Sequence, residues 1–336
     1  MTNPGEDPAW HIATAATGYL YTAALRAVVL LDVADHLVDG PRVPAELAEL
    51  TGANGPYLQR VLRLLATRGT FREDEDGRFH LTPHADVLRA DSPRSMRSAV
   101  LTVTAEECWQ SASDLAEAVR HGETPFDRRH GRPYFDYLAE NPSAGALFND
   151  GMASFSAGHI EQILASYDFP ESGVVVDVGG GVGGLLLAML RARPGLCGVL
   201  VDHETVVADH VLGELGAPDR WRLAPGDFFE SVPAGDLYTI KSVLNDWTDD
   251  QCVRILSNCR RAMNPGGKLL AVDTIVPPGN EPHLGKDLDV LLLLLLPGRE
   301  RLQTEFELLF ARAGLRITRV VPTPGLLTMI EAEPEP

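Results

Sequence analysis

Positive charge is what this chain has least of. Its 336 residues carry 29 Lys and Arg against 47 Asp and Glu, a formal net charge of −18. Nucleic acids and anionic membranes are bound by basic faces, so neither is an expected partner. Cysteine is scarce too. Cys108, Cys197, Cys252 and Cys259 form no CxxC pair, and Cys252 and Cys259, seven apart on a helical pattern, read as packing residues. A disulfide scaffold is thereby excluded, and a reducing compartment, the cytoplasm, is expected. No HExxH and no Cys/His ligand set occurs, so no catalytic metal is expected. Long apolar runs are also missing. The leucines Leu291–Leu296 are six in a row, where a bilayer span takes about 20 apolar residues. The stretch Met1–Pro8 lacks the basic and apolar segments of a secretory signal.

Apolar side chains are plentiful, at 45% of the sequence. The length suits roughly two domains at about 150 residues each. Residues 9–38 are rich in Ala, Leu and Val and read as one long helix. Val43–Ala48, a Thr51–Asn54 turn and Pro56–Arg68 follow as helix, turn, helix, with Leu58, Val61, Leu62, Leu64 and Leu65 at helical spacing. Phe71–Leu81 then reads as a hairpin with Asp76-Gly77 at its tip. Together these elements make a winged helix-turn-helix. DNA binding is the obvious suggestion and charge argues against it. Residues 24–92 hold eight arginines, no lysine and eleven acids, and the wing tip itself is acidic. A packing and dimerisation module is expected instead.

Residues 95–170 read as mostly helical, with Ala144–Tyr167 the clearest segment. From residue 174 strand and helix patterns alternate. The strands expected are Val174–Val178, Gly198–Asp202, Trp221–Ala224, Leu237–Lys241 and Lys268–Thr274, with a helix over Asp249–Met263. Such alternation implies parallel βαβ units. Leu315–Val321 and Leu326–Ala332 are expected as an antiparallel edge hairpin, and Glu331–Pro336 as a frayed acidic tail. The Asp287–Leu296 helix is apolar nearly all round and so expected to be buried. The fold class is therefore α/β: a Rossmann-like, seven-stranded, doubly wound domain over 171–336. It is preceded by a mainly α winged-helix dimerisation domain, 1–100, and a helical connector, 101–170.

Val174–Gly184 carries the most information. An apolar β-branched run ends in Asp177 and a glycine cluster, then a helix begins. Such a turn lets the backbone approach a ligand and leaves helix N–H groups free. Two templates fit. Gly179-x-Gly181-x-x-Gly184 matches the dinucleotide fingerprint, with Asp202 as the ribose acid, and would make the chain an NAD-dependent oxidoreductase. Asp177-x-Gly179-x-Gly181-x-Gly183 matches the S-adenosylmethionine turn. Asp202 closing strand two, Asp227-Phe228 after strand three and the polar cluster Lys241–Trp247 after strand four favour the second. Three acids, Asp177, Asp202 and Asp227, recur once per strand-helix unit. Each alone could simply cap a helix; three in register with the glycines point to a nucleoside.

Over residues 144–316 the chain resembles the plant-type, caffeic-acid-like O-methyltransferases, a family with many bacterial natural-product members. The resemblance rests on Phe148–Met152, Val176–Gly181, Gly226–Phe229, Lys241–Asp249, Cys252–Leu256, Asn264–Lys268 and Gly298–Arg301. The winged helix matches that family's dimerisation domain. The resemblance implies S-adenosyl-L-methionine as cofactor, S-adenosyl-L-homocysteine as product, a homodimer and a small-molecule acceptor. It implies cofactor binding by Gly179, Gly181, Asp202, Asp227, Phe228 and Lys241, with Ser156 nearby. It sets Met152 and Leu292 at the acceptor, beside Asp246 and Trp247.

The family signature reads Leu-His-Asp-Trp, its histidine being the general base. This chain reads Leu244-Asn245-Asp246-Trp247. The supporting carboxylates are expected in Asp273 and Glu300. Asparagine cannot take a proton at neutral pH. Four explanations stay open: an acceptor already ionised or strongly nucleophilic, aligned by the site; another base, Asp273 first, then His159 or His283; an Asn245 that only orients the acceptor; or a site that no longer methylates. The expected function is O-methylation of a small aromatic or polyketide-like natural product, with N-, C- or carboxyl-methylation as alternatives. A ligand-sensing winged-helix regulator is the rival from another class.

Overall fold

The computed structural model describes residues 7–335. Met1–Glu6, where the signal-sequence reading falls, and Pro336 of the acidic tail lie outside the described residues. The chain forms two compact units. One runs to Glu106 and includes Asp150–Ser154; the other comprises Glu107–Asn149 and the chain from Phe155.

In the first unit, α1 (Pro8–Ala16) and α2 (Gly18–Leu30) lead to α3 (Pro44–Thr51) and α4 (Gly55–Ala66). The single helix expected over 9–38 is broken. The Thr17 hydroxyl donates back to the Ala13 and Thr14 carbonyls and Gly18 follows, which ends the first segment. Pro8–Leu30 is nonetheless 23 residues of mean hydropathy 1.2, long and apolar enough to cross a membrane by length and composition. Most of it is exposed, including Trp10, Ile12, Tyr19, Leu20 and Leu30. Asn54 caps α4 by accepting from the Tyr57 N–H at 3.2 Å. β1 (Phe71–Glu73) and β2 (Phe79–Leu81) pair antiparallel as the expected wing. The acidic tip has a structural use: Asp74 accepts from the Asp76 and Arg78 N–H groups and meets His80 at 2.7 Å. Its carboxyl is held below the usual range, chiefly by the His80 bond. Phe71, Phe79, Leu47, Leu62 and Leu65 fill the core between wing and helices. α5 (Pro83–Asp86) and α6 (Arg97–Val103) complete the unit.

The second unit opens with α7 (Glu106–Ser113), α8 (Leu115–His121), α9 (Pro125–His130), α10 (Tyr134–Glu140) and α11 (Pro142–Ser166). The strands are β3 (Ser172–Val178), β4 (Gly195–Val201), β5 (Trp221–Leu223), β6 (Gly235–Lys241), β7 (Met263–Thr274), β8 (Leu315–Pro322) and β9 (Leu327–Pro334). The helices among them are α12 (Gly184–Ala192), α13 (Glu204–Val207), α14 (Asp249–Ala262), α15 (Leu284–Leu295) and α16 (Gln303–Arg312). One sheet runs β5-β4-β3-β6-β7-β9-β8, parallel except at β9, whose pairings with β7 and β8 are antiparallel. The period of two in β3 explains the layers. Val176 and Val178 pack with Ile255, Leu256, Phe306 and Phe310. Val175 packs on the other face with Leu186, Met189 and Leu190. Because β3 lies between β4 and β6, strand order reverses beside it, and the C-terminal edges there leave the crevice where open α/β sheets bind ligands.

Two further expectations fail. Glu331 is not in a frayed tail. It sits inside β9, 2% exposed, and accepts from Tyr167 at 2.5 Å, Thr318 at 2.6 Å and Lys268 at 3.1 Å. These donors outweigh the cost of burial and hold its carboxyl below the usual range. Nor is α15 buried all round, since Val290 and Leu293 are exposed while Leu294 and Leu295 are inside. The four cysteines are free. Cys252 and Cys259 are buried and their thiols pushed up to about 12 by burial, as packing residues should be.

Candidate active site

The crevice is assembled from strand ends. Asp177 is the penultimate residue of β3 and its side chain is 1% exposed. It accepts from the Thr239 hydroxyl of β6 at 2.6 Å, while its other oxygen has no partner. Burial pushes its pKa up to about 6, against the pull of Thr239 and Lys241. Above it the backbone turns through Gly179 and Gly181 at φ +65° and +59°, the left-handed region that favours glycine. A β-carbon at Gly181 would meet nothing within 4 Å, so the turn is open to a ligand on that side.

Asp202, directly after β4, reaches this turn. One carboxylate oxygen accepts from the Gly181 N–H at 2.8 Å and the other from the His203 N–H at 2.7 Å. Each oxygen keeps a free lone pair. Burial raises its pKa and the two backbone donors oppose the rise. Asp227 is exposed and accepts from the Phe229 N–H at 2.7 Å. Phe228 is half-buried, 4.9 Å from the Phe229 ring and 6.1 Å from Trp247. This donor and acceptor set, with a glycine turn and no cluster of basic side chains, fits an uncharged nucleoside better than a pyrophosphate.

Lys241 ends β6. Burial lowers its pKa, and the charges of Asp177 and Asp273 oppose that. The chain then passes through Ser242 at φ +53°, a strained conformation for a residue with a β-carbon. It enters the short 3₁₀ turn Leu244–Asp246 that carries Asn245. The Asn245 amide donates to Glu300 at 3.5 Å, and its Oδ1 is buried without a partner. Asp273, at the end of β7, accepts from the Thr274 N–H at 3.1 Å and keeps a second oxygen unpaired. Glu300 likewise has one unpaired oxygen. Asp273 and Glu300 are 1% and 6% exposed. Burial raises both, Asp273 to about 7 and Glu300 to about 9, and Asp273 pushes Glu300 further up. Burial and the neighbouring Asp273 likewise raise Asp246. Asn245, Asp246, Asp273 and Glu300 are therefore one cluster.

Several residues that hold this cluster escaped sequence reasoning. Arg301 is 1% exposed. It donates to the Leu244 carbonyl at 2.6 Å, the Trp247 carbonyl at 2.8 Å and Asp249 at 2.8 and 3.1 Å. A β-carbon on Gly298 would fall within 2.5 Å of the Trp247 nitrogen. Asp289 of α15 accepts from the Glu300 N–H at 2.9 Å. Phe135 of α10 stacks on Trp247 at 5.4 Å and meets Phe148 edge-on at 5.9 Å, forming an aromatic wall. The doublet Glu300-Arg301 was the available signal, but spacing alone does not say which of the two faces the Asn245 turn.

The other expected site residues are spread along the helices. Leu292 is half-buried on α15 and Ser156 half-buried on α11. Met152 belongs to the first unit and is exposed. His159 lies close enough to Lys241 to feel its charge; burial and then that charge lower its pKa. His283 caps α15, its Nδ1 accepting from the Gly285 N–H at 3.1 Å, which leaves it a structural role. Among the described residues no group of three His, Cys, Asp or Glu side chains is arranged to hold a metal ion. A cavity of about 440 Å³ opens behind the turn, against Asp249, Arg299 and Arg301, rather than in the crevice.

Residues 112–316 match the O-methyltransferase domain, and residues 13–91 match the O-methyltransferase dimerisation domain. The chain belongs to the O-methyltransferase family. It is 42% identical to phenazine O-methyltransferase PhzM of Lysobacter antibioticus, over 95% of this chain and 94% of that one. It is 36% identical to the 8-amino-8-demethylriboflavin N,N-dimethyltransferase of Streptomyces davaonensis, over 91% and 90%. Among solved structures, CalO1, a methyltransferase in calicheamicin biosynthesis bound to S-adenosylhomocysteine, superposes with a TM-score of 0.89. That pair shares 43% identity over 97% of this chain and 98% of the other. Family and fold agree with the glycine turn: this is an S-adenosylmethionine-dependent methyltransferase, and the dinucleotide template is the wrong one.

Proposed function

We propose that the protein transfers a methyl group from S-adenosylmethionine to a hydroxyl of a small aromatic natural product. The observation that carries this reading is the crevice itself: the Gly181–Asp202 grip lies on one side and the Asn245–Asp273–Glu300 cluster on the other. When bound, S-adenosylmethionine supplies an electrophilic methyl group on a sulfonium. The residues present fit it. Asp202 offers two lone pairs to a ribose, Asp227 accepts from an adenine amine, and Phe228 covers a ring face. Gly179 and Gly181 let the backbone come close.

On the acceptor side, Trp247 and Phe135 receive a flat ring. With a pKa near 7, Asp273 is the base matched to neutral pH, and it takes the proton that Asn245 cannot. Asn245 orients the acceptor. Glu300, protonated at neutral pH, braces the amide. A dimer formed through residues 1–100 gives the exposed apolar side chains of α1 and α2 a use, in place of a membrane. The acidic balance disfavours nucleic acid, and free cysteines suit the cytoplasm. Residues 101–170 serve as the connector that brings Phe135 to the acceptor, and 171–336 as the catalytic domain.

Calorimetric titration with S-adenosylmethionine and then S-adenosylhomocysteine tests the reading. Saturable binding of both is expected; binding of NADH and neither nucleoside would sink it.

A further inference from the structure

The chain has seven tyrosines. Tyr19 and Tyr57 are exposed, so water serves their hydroxyls. Four others have protein partners. Tyr21 shares a hydrogen bond with Thr70 at 2.6 Å; Tyr137 donates to Glu107 at 2.8 Å, Tyr167 to Glu331 at 2.5 Å and Tyr238 to the Pro233 carbonyl at 2.7 Å. Tyr134 differs. It is 6% exposed, yet its hydroxyl has no hydrogen-bond partner among the described residues. Its oxygen is not one of the fully enclosed atoms that lack partners, so the little surface the residue keeps includes it. Leaving a sheltered hydroxyl unpaired is costly, and protein interiors rarely do so. Tyr134 is the first residue of α10, directly after Pro133. Its ring meets Phe126 at 4.9 Å and Phe148 at 5.8 Å, both edge-on. Phe148 meets Phe135, which stacks on Trp247, so Tyr134 continues the aromatic wall of the crevice. Burial first, then the charges of Cys108, Glu107, Tyr137 and Asp246, raise its pKa, which keeps it a donor at neutral pH. Of the two carboxylates, Glu107 is already taken by Tyr137, and Asp246 belongs to the turn that carries Asn245.

We propose that Tyr134 determines specificity: its hydroxyl donates to a second oxygen on the acceptor ring and so selects which hydroxyl is methylated. This rests on the methyltransferase reading of the crevice and deepens it. A flat ring stacked on Phe135 and Trp247 is restrained in tilt but still free to turn in its own plane. The reacting hydroxyl, held at Asn245 and Asp273, is one fixed point, and rotation about it remains. Hydrogen bonds are directional, so a second fixed point at Tyr134 ends that rotation. The reacting oxygen then stays aligned with the sulfonium, where a misplacement of about 1 Å can cost about 10²-fold in rate. Tyr134 is itself held, because its ring is packed between Phe126 and Phe148. Trp247 offers an indole N–H on the same wall, so the test removes the Tyr134 oxygen alone.

Tyr134→Phe deletes one oxygen and keeps the ring. The full-length parent and variant are loaded with S-adenosylhomocysteine and titrated with 1-naphthol, then with 1,3-, 1,6- and 1,7-dihydroxynaphthalene, which set a second oxygen at different places. One hydrogen bond is worth about three- to tenfold in affinity. The parent should bind at least one diol tighter than 1-naphthol by that factor, beyond the roughly twofold statistical gain of a second hydroxyl. Tyr134→Phe should lose this preference while its affinity for 1-naphthol stays within about twofold. With S-adenosylmethionine, the parent should convert that diol mainly to one monomethyl ether and the variant to both. The variant should melt no lower than the parent, since the deleted hydroxyl had no partner to leave unpaired. Diols bound no tighter than 1-naphthol, equal losses on diols and 1-naphthol in the variant, or an unchanged product ratio overturns the proposal. Failure of the parent to bind S-adenosylhomocysteine, read before any acceptor is added, overturns the methyltransferase reading and this proposal with it.

Discussion

Gly298 and Asn245 are packed backbone against backbone, and a β-carbon on Gly298 would lie inside the Asn245 carbonyl oxygen. The loop that follows α15 is therefore a wall behind the turn that presents Asn245. Gly298→Ala must displace that turn or the loop behind it. Overpacking costs about 1–3 kcal/mol. The expected outcome is a lower melting temperature, with methyl transfer reduced far more than S-adenosylmethionine affinity, measured by calorimetry beside a turnover assay. A variant active at the parent's rate would show that the turn has slack.

Arg301 is the second support. Its guanidinium bridges the Leu244 and Trp247 carbonyls to Asp249, which no lysine can reproduce with a single ammonium. Arg301→Lys should destabilise the domain by about 1–3 kcal/mol, the cost of leaving buried carbonyls short of donors. Its kcat should fall while the cofactor's dissociation constant stays close to the parent's. Equal losses in both would assign Arg301 a purely structural part.

Asp202 is expected to matter twice, as a ribose acceptor and as the clasp on Gly181. Hydrogen bonds to a charged group contribute about 1.5–3 kcal/mol, so Asp202→Ala should weaken S-adenosylmethionine binding by about 10- to 100-fold. Unchanged affinity by calorimetry would remove Asp202 from the cofactor site.

The buried carboxyls make stability depend on pH with a definite sign. Asp273 and Glu300 are raised in the folded protein, to about 7 and about 9, above ordinary carboxyl values near 4. The folded state therefore holds protons that the unfolded chain has released, and stability falls as pH rises from about 4 to about 9. Glu300→Gln should abolish part of that slope. It should melt higher than the parent at pH 9 and differ little near pH 4.5. Parallel melting curves across that range would mean that Glu300 titrates normally.

The strands were legible because each is a short apolar run between breakers, and every one expected in the sheet is present within a few residues. The glycine turn and its acids were legible for the same reason: their order follows the chain. Thr17, Glu331, Gly298 and Arg301 were not. The Thr17 break depends on a hydroxyl competing for backbone carbonyls, which composition does not reveal. Glu331 is buried because Tyr167, Lys268 and Thr318 converge on it from distant segments. Gly298 and Arg301 act on a turn more than fifty residues away. The apolar face of α15 misled because a helix uniform in leucine gives no sign of which side meets protein.

The strand order has a consequence for how the domain is made. β8 reaches the sheet only through β9, which separates it from β7. A ribosome delivers β8 first, so for a time it has no edge to join. Held in the sheet only by pairing with β9, it cannot take its place until β9 has been made. Until β9 is in place β7 has an uncovered edge, a template on which other chains can pair.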